Sequence, residues 1–174
     1  MWLNIRNSLF KTNGHKAFGE NAASGSLEIP SDYIMYKEWQ TMAISNLRAI
    51  FYKDIQTVWD VVTSLENYQW RSDLSKIEVI NDKQFIEYTK DGYATTFTIT
   101  VFEPCKRWEF DMENSNMKGH WTGIFSEKDG HTQIDFTEDV TAKKLFMKPF
   151  VKSFLKKQQE QYVSDLRKNL EMNN

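Results

Sequence analysis

Residues 84–102 read QFIEYTKDGYATTFTITVF. Phe97, Ile99 and Val101 fall on one side of an extended chain, and Thr96, Thr98 and Thr100 on the other. Successive side chains of a strand point to opposite faces, so this alternation describes a strand with one buried face. The run before it, Gln84–Thr89, carries Phe85, Ile86 and Tyr88, and Asp91-Gly92 between the two tolerates the positive φ of a tight hairpin turn. The unit is antiparallel, and the same grammar continues on both sides of it.

Upstream, Ser75–Asn81 holds Ile77, Val79 and Ile80, separated from residue 84 by a turn at Asn81-Asp82-Lys83. Downstream, Pro104 ends the strand, and Trp108, Phe110 and Met112 then alternate with Glu109 and Asp111. A further strand is expected over His120–Glu127, a turn at Asp129-Gly130, and a last strand in which Thr132, Ile134 and Phe136 alternate with Gln133 and Asp135. The flanks differ. Ala43–Phe51 has strand-like content, Asp54 is placed to cap a helix through Ile55, Val58, Trp59 and Val62, and a second short helix or turn is expected around Leu65–Trp70. After Pro149 the period becomes helical: Phe150, Val151, Phe154, Leu155, Gln158, Tyr162, Leu166 and Leu170 share a face, and Lys148, Lys152 and Lys156 form a separate stripe. The order is strand, two short helices, a meander of about six antiparallel strands and a long helix, an α+β arrangement. Residues 1–42, with Gly14, Gly19, Gly25 and Pro30, read as a partly irregular arm, and residues 43–174 as the domain.

The 174 residues suit one domain. Aromatic residues make up 14%, enough for a sizeable core or a lined cavity. A net charge of −2 gives no nucleic-acid footprint, although residues 43–140 carry −7 and residues 141–174 carry +5. Cys105 is the single cysteine, which excludes an internal disulfide framework, and His15, His120 and His131 are not at metal-ligand spacing, so no metal or other cofactor is expected. No run of eighteen apolar residues exists, and Met1–Phe10 lacks the continuous apolar stretch of a secretion signal; a cytoplasmic location is the default expectation. The sequence carries no signal for oligomeric state.

The strand leading into DIQTVWDVVTSLENYQW (54–70) and the closing FMKPFVKSFLKKQQEQYVSDLRKNLE (146–171) resemble the START-like, or SRPBCC, superfamily, and within it the polyketide cyclase/dehydrase-like branch. Val58-Trp59 matches the pair on that family's first short helix, Trp70 the aromatic after the second, and Gly130-His131-Thr132 the turn before the last strand. Lys53-Asp54 stands where the family usually has Ala-Pro. The resemblance covers about residues 43–172. It implies a helix-grip fold, a seven-stranded antiparallel sheet curled around the C-terminal helix. It further implies a cavity between sheet and helix for hydrophobic small molecules, lipids or polyketides, which some members convert and others only bind.

The strand phases then name candidates. Phe97, Trp108, Phe110, Trp121, Phe125 and Phe136 point into the grip, to line a cavity or fill a core; Tyr88, Phe154 and Gln158 are added as ligand contacts. Glu138 shares parity with Ile134 and Phe136. An unbroken strand buries its carboxyl, raising its pKa and making it a candidate acid or base, whereas a bulge or strand end releases it to water. His120 has outward parity, Arg48 either reaches the cavity mouth or stays on the surface, Cys105 has no identifiable base, and no G-x-S-x-G elbow occurs. The leading reading is a binder of a hydrophobic or aromatic small molecule. Its rivals are a polyketide cyclase/dehydrase-like enzyme using inward polar groups such as Glu138 and Tyr88, and a protein-interaction domain with a filled core.

Overall fold

A computed structural model describes residues 42–172. The arm expected over residues 1–42 lies outside the described residues except for Met42, which opens the first strand. The elements are β1 (Met42–Phe51), α1 (Ile55–Thr63), β2 (Leu74–Asn81), β3 (Gln84–Thr89), β4 (Ala94–Glu103), β5 (Arg107–Glu113), β6 (Met117–Lys128), β7 (His131–Ala142), a 3₁₀ turn (Leu145–Met147) and α2 (Lys148–Met172). The seven strands form one antiparallel sheet in the order β1-β7-β6-β5-β4-β3-β2. This is the helix-grip arrangement: a meander whose inner face is closed by the C-terminal helix.

Local chemistry sets the elements. The Asp54 carboxylate accepts the Thr57 amide at 2.9 Å and the Thr57 hydroxyl at 2.6 Å, satisfying a free donor of the first turn of α1. Those bonds hold the Asp54 carboxyl below its usual value. At the β6–β7 hairpin Asp129 and Gly130 both take positive φ, 54° and 74°, the backbone that a two-residue turn needs. β2 and β3 are joined through Asp82-Lys83, with Asn81 opposite Gln84.

The second short helix does not form. Residues 64–73 run as successive turns, with Asn67 N–H donating to Ser64 Oγ at 3.0 Å and Arg71 N–H to the Tyr68 carbonyl at 2.9 Å. The serine side chain competes with the backbone for the amide a helix would need. Asp165 of α2 then fixes the end of this segment, accepting from the Ser72 amide at 2.9 Å and its hydroxyl at 2.6 Å.

The buried face of α2 is Val151, Leu155, Gln159, Leu166 and Leu170, with Tyr162 half-buried on the same line. That spacing of four, four, three, four and four residues is a helix stripe. It corrects the expected face at its N-terminal end: Phe150 is 50% exposed, and Phe154 and Gln158 are half-buried on the flank. Gln159 and Arg167 do a second job. Gln159 Nε2 donates to the Ser45 carbonyl at 3.3 Å and Arg167 Nη1 to the Ile50 carbonyl at 3.2 Å, tying α2 to the edge strand β1 at two points.

Gly123 lets the core close. A Cβ there would lie 2.2 Å from the Trp121 ring, which folds along its own strand across the glycine. That ring cannot yield freely, because it stacks on Phe110 with centroids 4.7 Å apart and leans on Phe136 at 4.8 Å. Gly123→Ala is therefore expected to lower unfolding free energy by about 1–3 kcal/mol, the range for overpacking. Chemical denaturation should show it, and near-ultraviolet circular dichroism should report a displaced indole; an unchanged spectrum and midpoint would contradict this packing.

Candidate functional site

The inner face of the sheet is ordered in rows. Ser45 on β1, Glu138 on β7, Trp121 on β6 and Phe110 on β5 stand directly opposite one another in successive pairings. Period-two alternation sends all four to the helix side, and all are buried. β7 alternates through all twelve residues without a break, so no bulge releases Glu138; it is fully buried. Of the two fates open to this residue in the sequence, the inward one holds.

A cavity lies between this face, α2 and the turns at 64–71. Its described lining includes Phe85, Phe97, Trp108, Phe110, Trp121 and Phe136 from the strands, Glu87 and Glu138 among them, and Gln159 and Tyr162 from α2. The rings pack closely on one another: Phe85 lies parallel to Phe97 at 4.9 Å, and Phe97 and Trp108 each meet Phe110 edge-on at 5.2 and 5.1 Å. The free volume is about 40 Å³. That accommodates roughly three water molecules. A larger guest requires these rings, or the 64–71 turns, to move apart.

Four expected contacts fall elsewhere. Tyr88 has outward parity on β3; its ring sits under Lys76 Nζ at 5.4 Å and its hydroxyl meets Glu78 at 3.4 Å. Phe125 points inward but packs under α1, 4.9 Å from Trp59. Phe154 and Gln158 lie outside the cavity lining. The residues that take those places are Glu87, one position before Tyr88, and Gln159, one after Gln158. Both were readable: Phe85 and Glu87 share strand parity, and Gln159 follows Val151 and Leu155 at intervals of four. Of the other groups considered, His120 faces outward against Asp111 at 2.7 Å, Arg48 pairs with Asp135 at 2.6 Å on the surface, and Cys105 touches Gln56 at 3.3 Å.

The polar groups divide into two sets. The first is ion-paired. Arg71, buried beside the cavity, grips Glu87 with both terminal nitrogens, at 2.5 and 3.2 Å, and reaches Asp73 at 3.1 Å. Burial works against each charge, but the ion pairing prevails: the Glu87 and Asp73 carboxyls are held below their usual range and the Arg71 guanidinium above its own. The guanidinium also lies 5.4 Å from the centre of the Tyr162 ring, whose hydroxyl is pushed up by burial. Losing either partner of such a pair typically destabilises by about 3–5 kcal/mol, because the other charge stays buried.

The second set is unsaturated. Both oxygens of Glu138, and the N–H groups of Trp70, Trp108 and Arg71 Nε, are buried with no hydrogen-bond partner among the described residues. Gln159 is near Glu138, yet its amide is engaged with Ser45: Ser45 Oγ donates to its Oε1 at 2.8 Å while its Nε2 donates to the Ser45 carbonyl. Burial consequently pushes the Glu138 carboxyl up to about 8, with Gln159 offsetting only part of the effect. At neutral pH Glu138 is a carboxylic acid, able to donate one hydrogen bond and accept others. Buried polar atoms are normally satisfied, so this group leaves hydrogen-bonding capacity around one cavity that the described residues do not use.

The sequence profile of the family described as "Polyketide cyclase / dehydrase and lipid transport" matches residues 54–171, and the chain belongs to that family. No curated protein sequence matches the chain. Among solved structures, a START superfamily protein from Mycobacterium smegmatis superposes with a TM-score of 0.66 at 15% identity, over 75% of this chain and 99% of that one. A conserved protein from Geobacillus kaustophilus gives 0.65 at 11% identity, over 74% and 95%. DynU16, from the dynemicin biosynthetic locus, gives 0.61 at 14% identity, over 75% of this chain and 48% of that one. At such identities the likeness shows the fold alone.

The raised Glu138 carboxyl couples folding to pH. The folded carboxyl titrates near 8 and the unfolded one near 4.5. Between those values the unfolded state has released a proton that the folded state retains, so stability falls as pH rises through that window. Glu138→Gln removes the dependence. The stability difference, variant minus wild type, should grow with pH from about 4.5 to about 8 and then level off. Its total should be on the order of a few kcal/mol. Denaturation curves across this range check it; a pH-independent difference would contradict a neutral Glu138.

Proposed function

We propose that this protein binds a small hydrophobic or aromatic molecule carrying oxygen acceptors, held between the sheet and α2. One observation carries the reading: the Glu138 carboxyl and the Trp108 and Arg71 N–H groups, without a hydrogen-bond partner among the described residues, line the same aromatic cavity. Aromatic walls supply affinity through buried apolar area, and a few convergent polar groups orient the guest. A carbonyl or hydroxyl oxygen of the ligand would accept from Glu138 and from an indole N–H. The family's description, which joins cyclase/dehydrase activity to lipid transport, supports a guest of this class.

The protonated state of Glu138 favours a second reading, in which the same carboxyl acts as a general acid on the bound molecule. The small free volume favours a third, a filled core in a domain that works through its surface. The three separate experimentally.

Purified protein is titrated with fatty acids, sterols and aromatic polyketides while melting and tryptophan fluorescence are followed. A ligand of the folded state is expected to raise the melting temperature saturably, adding about 2.7 kcal/mol at a hundredfold excess over its Kd. Trp121→Phe should diminish the fluorescence response. Stabilisation without turnover identifies a binder; turnover lost in Glu138→Gln while binding persists identifies the enzyme. No saturable shift across the panel, with no small molecule retained in native mass spectra, overturns the proposal in favour of the filled core.

A further inference from the structure

From Val140 to Gln159 the chain contains six lysines, at 143, 144, 148, 152, 156 and 157, and no aspartate or glutamate. This stretch covers the end of β7, the 3₁₀ turn and the first half of α2. Met147, Val151 and Leu155 anchor it to the core at 2%, 1% and 1% exposure. With that row turned inward, the row one residue earlier turns out: Phe146 is 57% exposed and Phe150 50%. Lys152, Lys156 and Lys157 are exposed on the outward half of the same helix, with Lys157 seven residues beyond Phe150 and so on its side.

Single exposed apolar residues are ordinary on any surface. Two phenylalanines on adjacent turns, in a stretch that carries only positive charge, form a different pattern: apolar side chains for the acyl boundary and cations for anionic head groups. The opposing charges are few. Lys143 meets Glu113 at 2.7 Å, Lys144 is held by the Asn116 side chain at 2.7 Å, and Lys156 lies 3.9 Å from Glu160. No ion pair among the described residues engages Lys152 or Lys157. Residues 43–140 carry −7, so a negative surface would repel the body of the domain and attract this end, orienting the molecule on approach.

We infer that the face formed by Phe146, Phe150, Lys152, Lys156 and Lys157 docks reversibly onto an anionic lipid bilayer. The molecule rests on the surface: no described helix is long and apolar enough to cross a membrane. The inference is independent of what the cavity holds, since none of these five residues lines it.

Flotation of the full chain with vesicles tests it, using phosphatidylcholine alone and phosphatidylcholine mixed with phosphatidylserine, at low and high salt. The wild type is expected to float with the anionic vesicles at low salt, and far less with neutral vesicles or at high salt. Replacing Lys152, Lys156 and Lys157 by Gln should weaken partitioning by roughly a hundredfold. The Phe146→Ser, Phe150→Ser pair should weaken it by about tenfold or more while leaving the salt dependence in place. Both sets are exposed, and melting curves check that each variant folds. Equal flotation on neutral and anionic vesicles, or a phenylalanine pair variant that floats like the wild type, would overturn the inference. Failure of the wild type to associate with either vesicle would also overturn it and assign the face to an acidic protein partner.

Discussion

The seventh strand cannot slip. It is hydrogen-bonded along its length to β1 on one side and β6 on the other, and neither pairing contains a register shift. A displacement of one residue would turn Ile134, Phe136 and Val140 to solvent and bring Asp135 and Asp139 beneath α2. The hydrophobic alternation therefore locks the register, and the register places Glu138 in the interior. Nothing local favours a carboxyl there. It is retained as a neutral acid because burial penalises the charged form more than Gln159 and the nearby Arg71 guanidinium favour it, and no described residue hydrogen-bonds its oxygens. The seating of α2 follows from the same row, since Gln159 is pinned to Ser45, the residue opposite Glu138 on β1.

Two arrangements of buried charge stand close together and are resolved in opposite ways. Glu87 remains ionised because Arg71 meets it with two nitrogens, and Asp73 shares the same guanidinium. Glu138 has no such partner among the described residues and holds its proton. The first arrangement ties the 64–73 turns to β3, and the Ser72–Asp165 bonds tie them to α2. These turns also carry Leu65, Tyr68 and Trp70 over the cavity. One wall of the cavity is thus irregular backbone held by polar contacts, whereas the opposite wall is continuous sheet. If the proposed guest binds, moving these turns would open the cavity without unpairing strands.

Much of this was legible from residue spacing, for a physical reason. Period-two alternation is strict where one face of a strand is buried and the other is wet, so Phe97, Trp108, Phe110, Trp121 and Phe136 could be placed inside from their positions alone. The misses have equally definite causes. On β3, the Tyr88 hydroxyl draws attention away from Glu87, whose parity with Phe85 points inward; the ion pair that lets an acid stay there comes from Arg71, sixteen residues earlier in the chain. On α2, Phe150 widened the apparent apolar face and turned it toward Gln158; the anchors Met147, Val151 and Leu155 show that Phe150 stands outside. The helical reading of Leu65–Trp70 lacked the competing Ser64 side chain. Gly123 gave no signal of its own, because its role is to leave room for a ring two residues away.

Inside the grip, Glu138 keeps its proton at neutral pH. Infrared difference spectroscopy of the wild type against Glu138→Gln reads this directly, since a protonated carboxyl and a carboxylate absorb at separate frequencies. The predicted result at pH 7 is a protonated-acid band present in the wild type and absent from the variant, disappearing only as pH rises through about 8. A difference spectrum showing only carboxylate bands at pH 7 would contradict the account.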